Sequence, residues 1–171
     1  MQRSGSPPGA GVTVREATPA DVDTLVGMLV EVAGEGRWIG TEAPVDVDRR
    51  RRRFLEDVEA EDAVVLVAEA DGKPVGQLVL QLARYGVADL GMLVAAGWRG
   101  RGVGTALLAE AVRRAREAGA HKIALQVWPH NAAAIALYER FGFQREGYLR
   151  RHYRRRSGEL WDAVVMGLPL D

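Results

Sequence analysis

Arg99-Gly100-Arg101-Gly102-Val103-Gly104-Thr105 joins an apolar run, Leu90 to Ala96, to the amphipathic stretch Ala106 to Ala118. A strand that ends in a basic, side-chain-poor turn and then opens a helix offers backbone N–H groups and the positive end of the helix dipole to an anion. The spacing separates this turn from two commoner nucleotide loops. A dinucleotide fingerprint places G-x-G-x-x-G after the first strand of a βαβ unit, whereas these alternate glycines follow roughly the fourth strand. A P-loop needs G-x-x-x-x-G-K-[ST], which this stretch lacks. Nicotinamide and nucleoside triphosphate readings therefore fall, and another phosphate-bearing ligand is favoured. Glycines that only shape a tight turn are the plainer alternative, but Arg99 and Arg101 exceed what a turn requires.

Outward from this turn, the elements alternate. Val12 to Ala17 alternates at period two, and Thr18-Pro19-Ala20-Asp21 supplies an N-cap, a proline at N1 and an acid at N3 for a helix from Pro19 to Ala33. Val22, Leu25, Val26, Leu29 and Val30 share one face of it, and Gly34 and Gly36 stop it. After a loop, Arg37 to Pro44, a second helix runs from Val47 to Ala60. The Val-rich runs Ala63 to Ala70 and Val75 to Leu82 form a hairpin through Asp71-Gly72-Lys73-Pro74, and Ala88 to Ala95 adds another strand. A helix from Ala106 to Ala118, a buried strand from Ile123 to Trp128 and a helix from Asn131 to Phe141 follow. Two strands turning at Ser157-Gly158 close the chain. The order β, α, α, β, β, β, α, β, α, β, β, without an internal repeat, predicts an α/β layered fold with hairpins and not a doubly wound sheet.

A chain of 171 residues, 47% hydrophobic and 27% charged, fits one domain over residues 12–171. Residues 1–11, rich in Gly, Ser and Pro and without an apolar core segment, read as a disordered lead-in and not a signal peptide. With no apolar run of about 18 residues, the expectation is a cytoplasmic protein without a membrane partner. The formal net charge of zero gives no electrostatic case for nucleic acid. The run Arg49 to Arg53 wraps most of a helix's circumference, so it reads as a solvated face and not as a basic stripe. No cysteine and only three histidines leave no thiol nucleophile and no expected metal site.

A second constellation is Asn131 with Tyr138. Seven residues at about 100° each return to within roughly 20° of the starting direction, which sets both side chains on one helix face, about 10 Å apart. Ala132, Ala133 and Ala134 leave room for a ligand at the first turn. Asn131 is also a favoured N-cap, and Tyr138 read alone is an ordinary core aromatic.

Together, Leu93-Val94, Arg99 to Thr105, Asn131, Tyr138 and Phe141-Gly142-Phe143 resemble the GCN5-related N-acetyltransferase (GNAT) family, in particular its small bacterial members. The resemblance covers Val12 to Leu168, and Arg99-Gly100-Arg101-Gly102-Val103-Gly104 meets the family's Q/R-x-x-G-x-G/A loop. It implies a mixed, mostly antiparallel sheet of about seven strands with about four helices, splayed between the Ala88–Ala95 and Ile123–Trp128 strands. It further implies acetyl-CoA as cosubstrate. The backbone of Met92, Leu93 and Val94 would meet the pantetheine, Arg99, Gly100, Arg101, Gly102, Val103, Gly104 and Thr105 the diphosphate, and Asn131 and Ala134 the arm. Tyr138 would face the sulfur. Without a thiol to carry an acetyl group, direct attack by the amine in a ternary complex is expected.

The base is open among Asp89, Glu42 and Glu35, with His130 and His152 behind them. The resemblance implies that a small-molecule amine enters between Arg37 to Glu42 and Tyr148 to Tyr153. There Trp38 and Tyr153 would form a wall, Glu42 would face the amine, and Arg150 or Arg151 would hold a carboxylate. Arg154 to Arg156 read equally well as solvated turn residues. Protein N-terminal or lysine acetylation, a non-catalytic CoA-binding protein and a module binding RNA or an acidic protein are the alternatives, and a homodimer is allowed.

Overall fold

The computed structural model describes residues 11–83 and 85–170, so the disordered reading of the lead-in lies, but for Gly11, outside the described residues. The strands β1 (Val12–Glu16), β2 (Ala63–Ala70), β3 (Lys73–Leu82), β4 (Val87–Val94), β5 (Lys122–Val127), β6 (Gln144–Arg154) and β7 (Leu160–Pro169) form one sheet. Their order is β1-β2-β3-β4-β5-β7-β6. Every pairing is antiparallel except β4 with β5, which is parallel. The helices are α1 (Val22–Gly34), α2 (Val47–Glu59), α3 (Val103–Glu117) and α4 (Ala132–Arg140). The mixed sheet and its four helices match the expected architecture.

Element starts differ from the sequence expectation where local chemistry intervenes. Pro19–Asp21 forms a 3-10 turn before α1. The Asp21 carboxylate accepts from Thr18 N–H at 2.7 Å and is gripped by both terminal nitrogens of Arg15 at 2.8 Å. That charge-assisted cluster fixes the entry to α1 and holds Asp21 at a pKa of about 2, chiefly through the Arg15 bond. The β2–β3 turn needs only Asp71 and Gly72, both at positive φ, so β3 begins at Lys73. Helix α3 begins at Val103 and not Ala106, because Gly102 at φ 85° turns the chain directly into it.

The sheet divides the core into two layers. Along β4, Ala88, Leu90 and Met92 pack with α3 and α4, whereas Leu93 packs with α1 and α2. This is the two-residue period of a strand, with Asp89 and Gly91 left exposed on the face that carries Leu93. Val103, Leu107, Ala111 and Ala115 recur every fourth residue, forming the stripe that α3 lays on the sheet, and all are buried.

The helix sits close to the sheet where β3 carries Gly76. A Cβ there would lie 2.8 Å from Val103 Cγ1 and 3.3 Å from the Leu93 carbonyl. Gly104 makes a similar close approach, since its Cβ would lie 3.0 Å from Leu137 Cδ2 of α4. These two glycines set the height of the α3 N-terminus above β3 and beside α4. Gly76→Val, although it favours a strand by propensity, is expected to destabilise by about 1–3 kcal/mol through overpacking. Calorimetry would read this as a fall in melting temperature of about 2–12 °C, and an unchanged melting point would show that the sheet gives way instead. Glu110, hydrogen-bonded by Arg113 and Arg114, is also held at a pKa of about 2. Both carboxyl pKa values are depressed by folding, so their stabilisation is complete above the unfolded carboxylate range. It is lost as pH falls through about 4 toward 2, and the urea midpoint is expected to drop steeply over that interval.

Candidate active site

Strands β4 and β5 pair only at Val87↔Lys122, Ala88↔Ile123 and Asp89↔Ala124. Past those residues they diverge, although β4 continues to Val94 and β5 to Val127. The outer edge of each stays paired, β4 with β3 as far as Val94 and β5 with β7 as far as Val127. Their inner edges face a cleft of about 700 Å³. Two strand edges turned toward one cavity leave backbone donors and acceptors for an extended, amide-bearing ligand.

The glycine turn lies at the mouth of this cleft. Gly100 and Gly102 have φ of 70° and 85°, so both glycines are required by the backbone itself. The first intrahelical bond of α3 runs from Ala106 N–H to the Gly102 carbonyl at 3.0 Å, and no side chain caps the helix. The N–H groups of Val103, Gly104 and Thr105 thus precede the helical ladder at the positive end of a 15-residue helix. Gly100, Gly102, Val103, Gly104 and Thr105 all line the cleft. Arg101 instead lays its guanidinium over the Trp98 ring, 4.6 Å from the centroid. Arg99 grips Glu35 with both terminal nitrogens at 2.7 and 2.8 Å and donates from Nε to the Val94 carbonyl at 3.1 Å.

Helix α4 closes the far wall. Asn131 caps it by accepting from Ala134 N–H at 3.3 Å, while Asn131, Ala134 and Tyr138 all line the cleft. Tyr138 is 6% exposed and tilted against Phe143 at 5.5 Å. Burial pushes its phenol up to about 12. Met92, Leu93 and Val94 line the opposite side, and Trp38 and Tyr153 stand at the same opening. Tyr153 donates its hydroxyl to Gln126 Oε1 and meets Trp128 edge-on at 5.2 Å.

The remaining candidates are placed less uniformly. Glu35 is held below the usual carboxylate range by Arg99 and also accepts from Trp38 Nε1 at 2.7 Å. Glu42 accepts from Arg156 N–H at 3.1 Å and pairs with Arg155 Nε at 3.4 Å, which ties the α1–α2 loop to the β6–β7 hairpin. His130 bonds the Arg37 carbonyl at 2.7 Å through Nε2 and meets Trp161 edge-on at 5.2 Å. His152 packs edge-on against Tyr153 at 4.9 Å on the exposed strand β6. Asp89 projects from the face of β4 opposite Tyr138 and lines a second cavity. Arg150 and Arg151 are exposed and line neither cavity. They sit in an irregularity of the β6–β7 ladder, where Arg151 has a φ of 51° and its N–H donates to Asp162 at 2.6 Å.

Two arginines depart from the solvated reading: Arg50 of the Arg49–Arg53 run is half-buried and lines the second cavity, and Arg155 leaves the solvent altogether. Arg155 is not a solvated turn residue, because it is 6% exposed. Its guanidinium lies 4.3 Å from the Trp161 ring centroid and 5.3 Å from that of Trp128. It donates to the Gly40 carbonyl at 3.1 Å. These partners come from β7, the segment after β5 and the α1–α2 loop, so no local sequence pattern marks this inward-facing cation–π site.

The acetyltransferase (GNAT) family model matches residues 33–143. The chain is 27% identical over 169 residues to the L-methionine sulfoximine/L-methionine sulfone acetyltransferase of Pseudomonas aeruginosa, covering 93% of this chain and 95% of that protein. Among solved structures, the ribosomal-protein-alanine N-acetyltransferase of Brucella melitensis superposes with a TM-score of 0.83 at 31% identity, over 92% of this chain and 99% of that one. The yncA protein of Salmonella typhimurium, solved with its cofactor acetyl-CoA, gives a TM-score of 0.83 at 25% identity, over 94% of this chain and 95% of that one. With the family model spanning the glycine turn and both walls of the opened sheet, this chain belongs to the GNAT family of acetyltransferases.

Proposed function

We propose that the protein is an acetyl-CoA-dependent N-acetyltransferase, with residues 12–171 as its one domain, acting on the primary amine of a small molecule by direct attack in a ternary complex. The observation that carries this reading is the parting of β4 and β5, which turns two free backbone edges, an uncapped helix terminus and a buried phenol onto one cleft. Membership of the family supports it. So do the acetyl-CoA bound to the Salmonella relative and the amino-acid analogues acetylated by the Pseudomonas relative.

Acetyl-CoA would supply an activated thioester. In this chain, the turn from Arg99 to Thr105 holds the diphosphate, with N–H groups of Val103, Gly104 and Thr105 as donors. Arg99, engaged by Glu35, braces the turn. The Asn131 amide and the open edge at Met92, Leu93 and Val94 orient the arm, and a backbone N–H of that edge receives the developing oxyanion. As the amine nitrogen bonds to the carbonyl carbon and the C–S bond breaks, Tyr138 donates a hydrogen bond to the leaving sulfur. Burial raises the phenol and leaves Tyr138 a weaker acid than the leaving thiol, so the proton stays on Tyr138 until late in the step. Asp89, on the other face of β4 from Tyr138, takes the proton of the attacking amine through water. Unlike Glu35 and Glu42, it has no ion-pair partner among the described residues.

A second reading, acetylation of a protein's N-terminal α-amine, is favoured by the 31% identity to the Brucella enzyme. The two readings share the same cosubstrate and attack chemistry and differ only in the acceptor. Cytoplasmic residence, a homodimer and metal-independent chemistry belong to the proposal. Among the described residues no helix is long and apolar enough to cross a membrane. Nor does any group of three His, Cys, Asp or Glu there stand ready for a metal ion.

Acetyl-CoA at about one hundred times its Kd is expected to stabilise the protein by about 2.7 kcal/mol. At 2–4 °C per kcal/mol this raises the melting temperature by about 5–10 °C, and no shift would remove the enzymatic reading. Tyr138→Phe is expected to lower kcat by about 10- to 1000-fold while the acetyl-CoA shift persists. Turnover at the wild-type rate would exclude Tyr138 from the reaction.

A further inference from the structure

On the α1–α2 face of the sheet lies a second cavity of about 400 Å³, which meets the acetyl-CoA cleft along Leu90, Gly91, Met92 and Leu93. Its floor is set by strand register. Gln81, Val79 and Gln77 of β3 lie opposite Asp89, Gly91 and Leu93 of β4, and all six line the cavity. Gly91 lines both cavities, and a Cβ built on it meets nothing within 4 Å. No side chain therefore fills the space beside Gly91, where the linings of the two cavities meet.

We propose that this cavity receives the acceptor and that Arg50 selects one bearing a carboxylate beside its amine, an α-amino acid or a close analogue. The inference rests on the N-acetyltransferase reading. Within the arginine run, Arg51 pairs with Asp23 and Asp48, and Arg53 pairs with Asp57 and Glu56. Arg50 is half-buried and lines the cavity, where its Nη2 donates to the Thr41 hydroxyl at 2.6 Å. Among the described residues it has no ion-pair partner.

The other charges of the cavity are accounted for. Asp57, 7% exposed, accepts from Gln81 Nε2 at 2.8 Å and faces Arg53 at 3.4 Å, so that pair is neutral and fixed. Arg50 and Asp89 remain, one cation and one anion, the complement of a zwitterion. A guanidinium with free donors beside the apolar Phe54 and Ile39 is a site for a planar carboxylate.

Gln77 supplies the second, independent sign of a missing partner. It is 3% exposed, and its Oε1 has no hydrogen-bond partner among the described residues. A buried acceptor left unpaired is costly. Gln77 lies across from Leu93, at the cleft end of the cavity, and the last torsion of its side chain is soft. An amine N–H held there satisfies it. The acceptor thus lies with its carboxylate on Arg50 and its amine beside Gln77 and Gly91, facing the acetyl group. Asp89, two residues and about 7 Å along the strand from Gly91, is within reach of the amine's proton through a bridging water.

The test compares acetylation of each L-amino acid, and of L-methionine sulfone, with that of its neutral α-amide. In the wild-type protein at least one acid is expected to exceed its amide by tenfold or more in kcat/KM. Arg50→Met is expected to abolish that preference, lowering kcat/KM for the acid about 100-fold through KM, with the acetyl-CoA melting shift unchanged. Amides acetylated as well as acids by the wild type, or a preference that survives Arg50→Met, would overturn the inference. The wild-type comparison decides by itself if the variant does not fold. A protein that acetyl-CoA stabilises but that acetylates no amino acid fails this inference alone, whereas one that acetyl-CoA does not stabilise fails the enzymatic reading and this inference with it.

Discussion

The structure depends on the separation of two neighbouring strands. Parallel β4 and β5 share backbone bonds at one end only, and beyond Asp89 and Ala124 each keeps just its outer partner. An edge strand in a soluble protein is normally short, charged or covered, because its free N–H and C=O groups recruit another chain. Here the two free edges face one another across a cleft walled by α3, α4 and the α1–α2 loop. Close packing keeps them apart: Gly76 lets α3 settle onto β3, Gly104 lets it meet Leu137 of α4, and the buried Tyr138 fills the base. A ligand with amides along its length would complete the backbone bonding that the sheet forgoes.

The charged residues around the cleft act mainly as pins. The α1–α2 loop carries Glu35 near one end and Glu42 near the other. Glu35 is held by Arg99 of the glycine turn, and Glu42 by Arg155 and Arg156 of the β6–β7 hairpin. The loop is thereby tied to both sides of the opening. Buried Arg155 combines two tryptophan faces, a carbonyl and a carboxylate, which offsets the desolvation of its charge. Removing Glu42, the one anion of the set, would leave a buried cation without a counter-charge. Two carboxylates that resemble general bases in sequence thus position the α1–α2 loop.

The elements were legible because hydrophobic period and turn chemistry act locally. The stripe Leu107, Leu108, Ala111 and Ala115 marks α3, and Gly119 its stop. Asn131 capping α4 follows from the same short-range logic. The start of α3 is less legible, since Val103, Gly104 and Thr105 read as loop and only the left-handed conformation of Gly102 turns them into the first helical turn. Among the residues lining the cleft, the glycine turn, Asn131 and Tyr138 are legible for a related reason: each is a backbone requirement or a fixed helical spacing.

What the sequence by itself determined is this set of periods and turns, together with the absence of any thiol nucleophile. Tertiary structure decided which side chains meet. It buried Arg155 beside Glu42, more than a hundred residues away, and left Arg150 in solvent, though both sit in one arginine-rich hairpin. It placed Asp89 and Tyr138 on opposite faces of the sheet and turned Arg50 inward from a run whose neighbours pair on the surface. The physical reason is that charge pairing and desolvation are set by distances between elements, and those distances follow from sheet order and helix packing, to which local periodicity is blind.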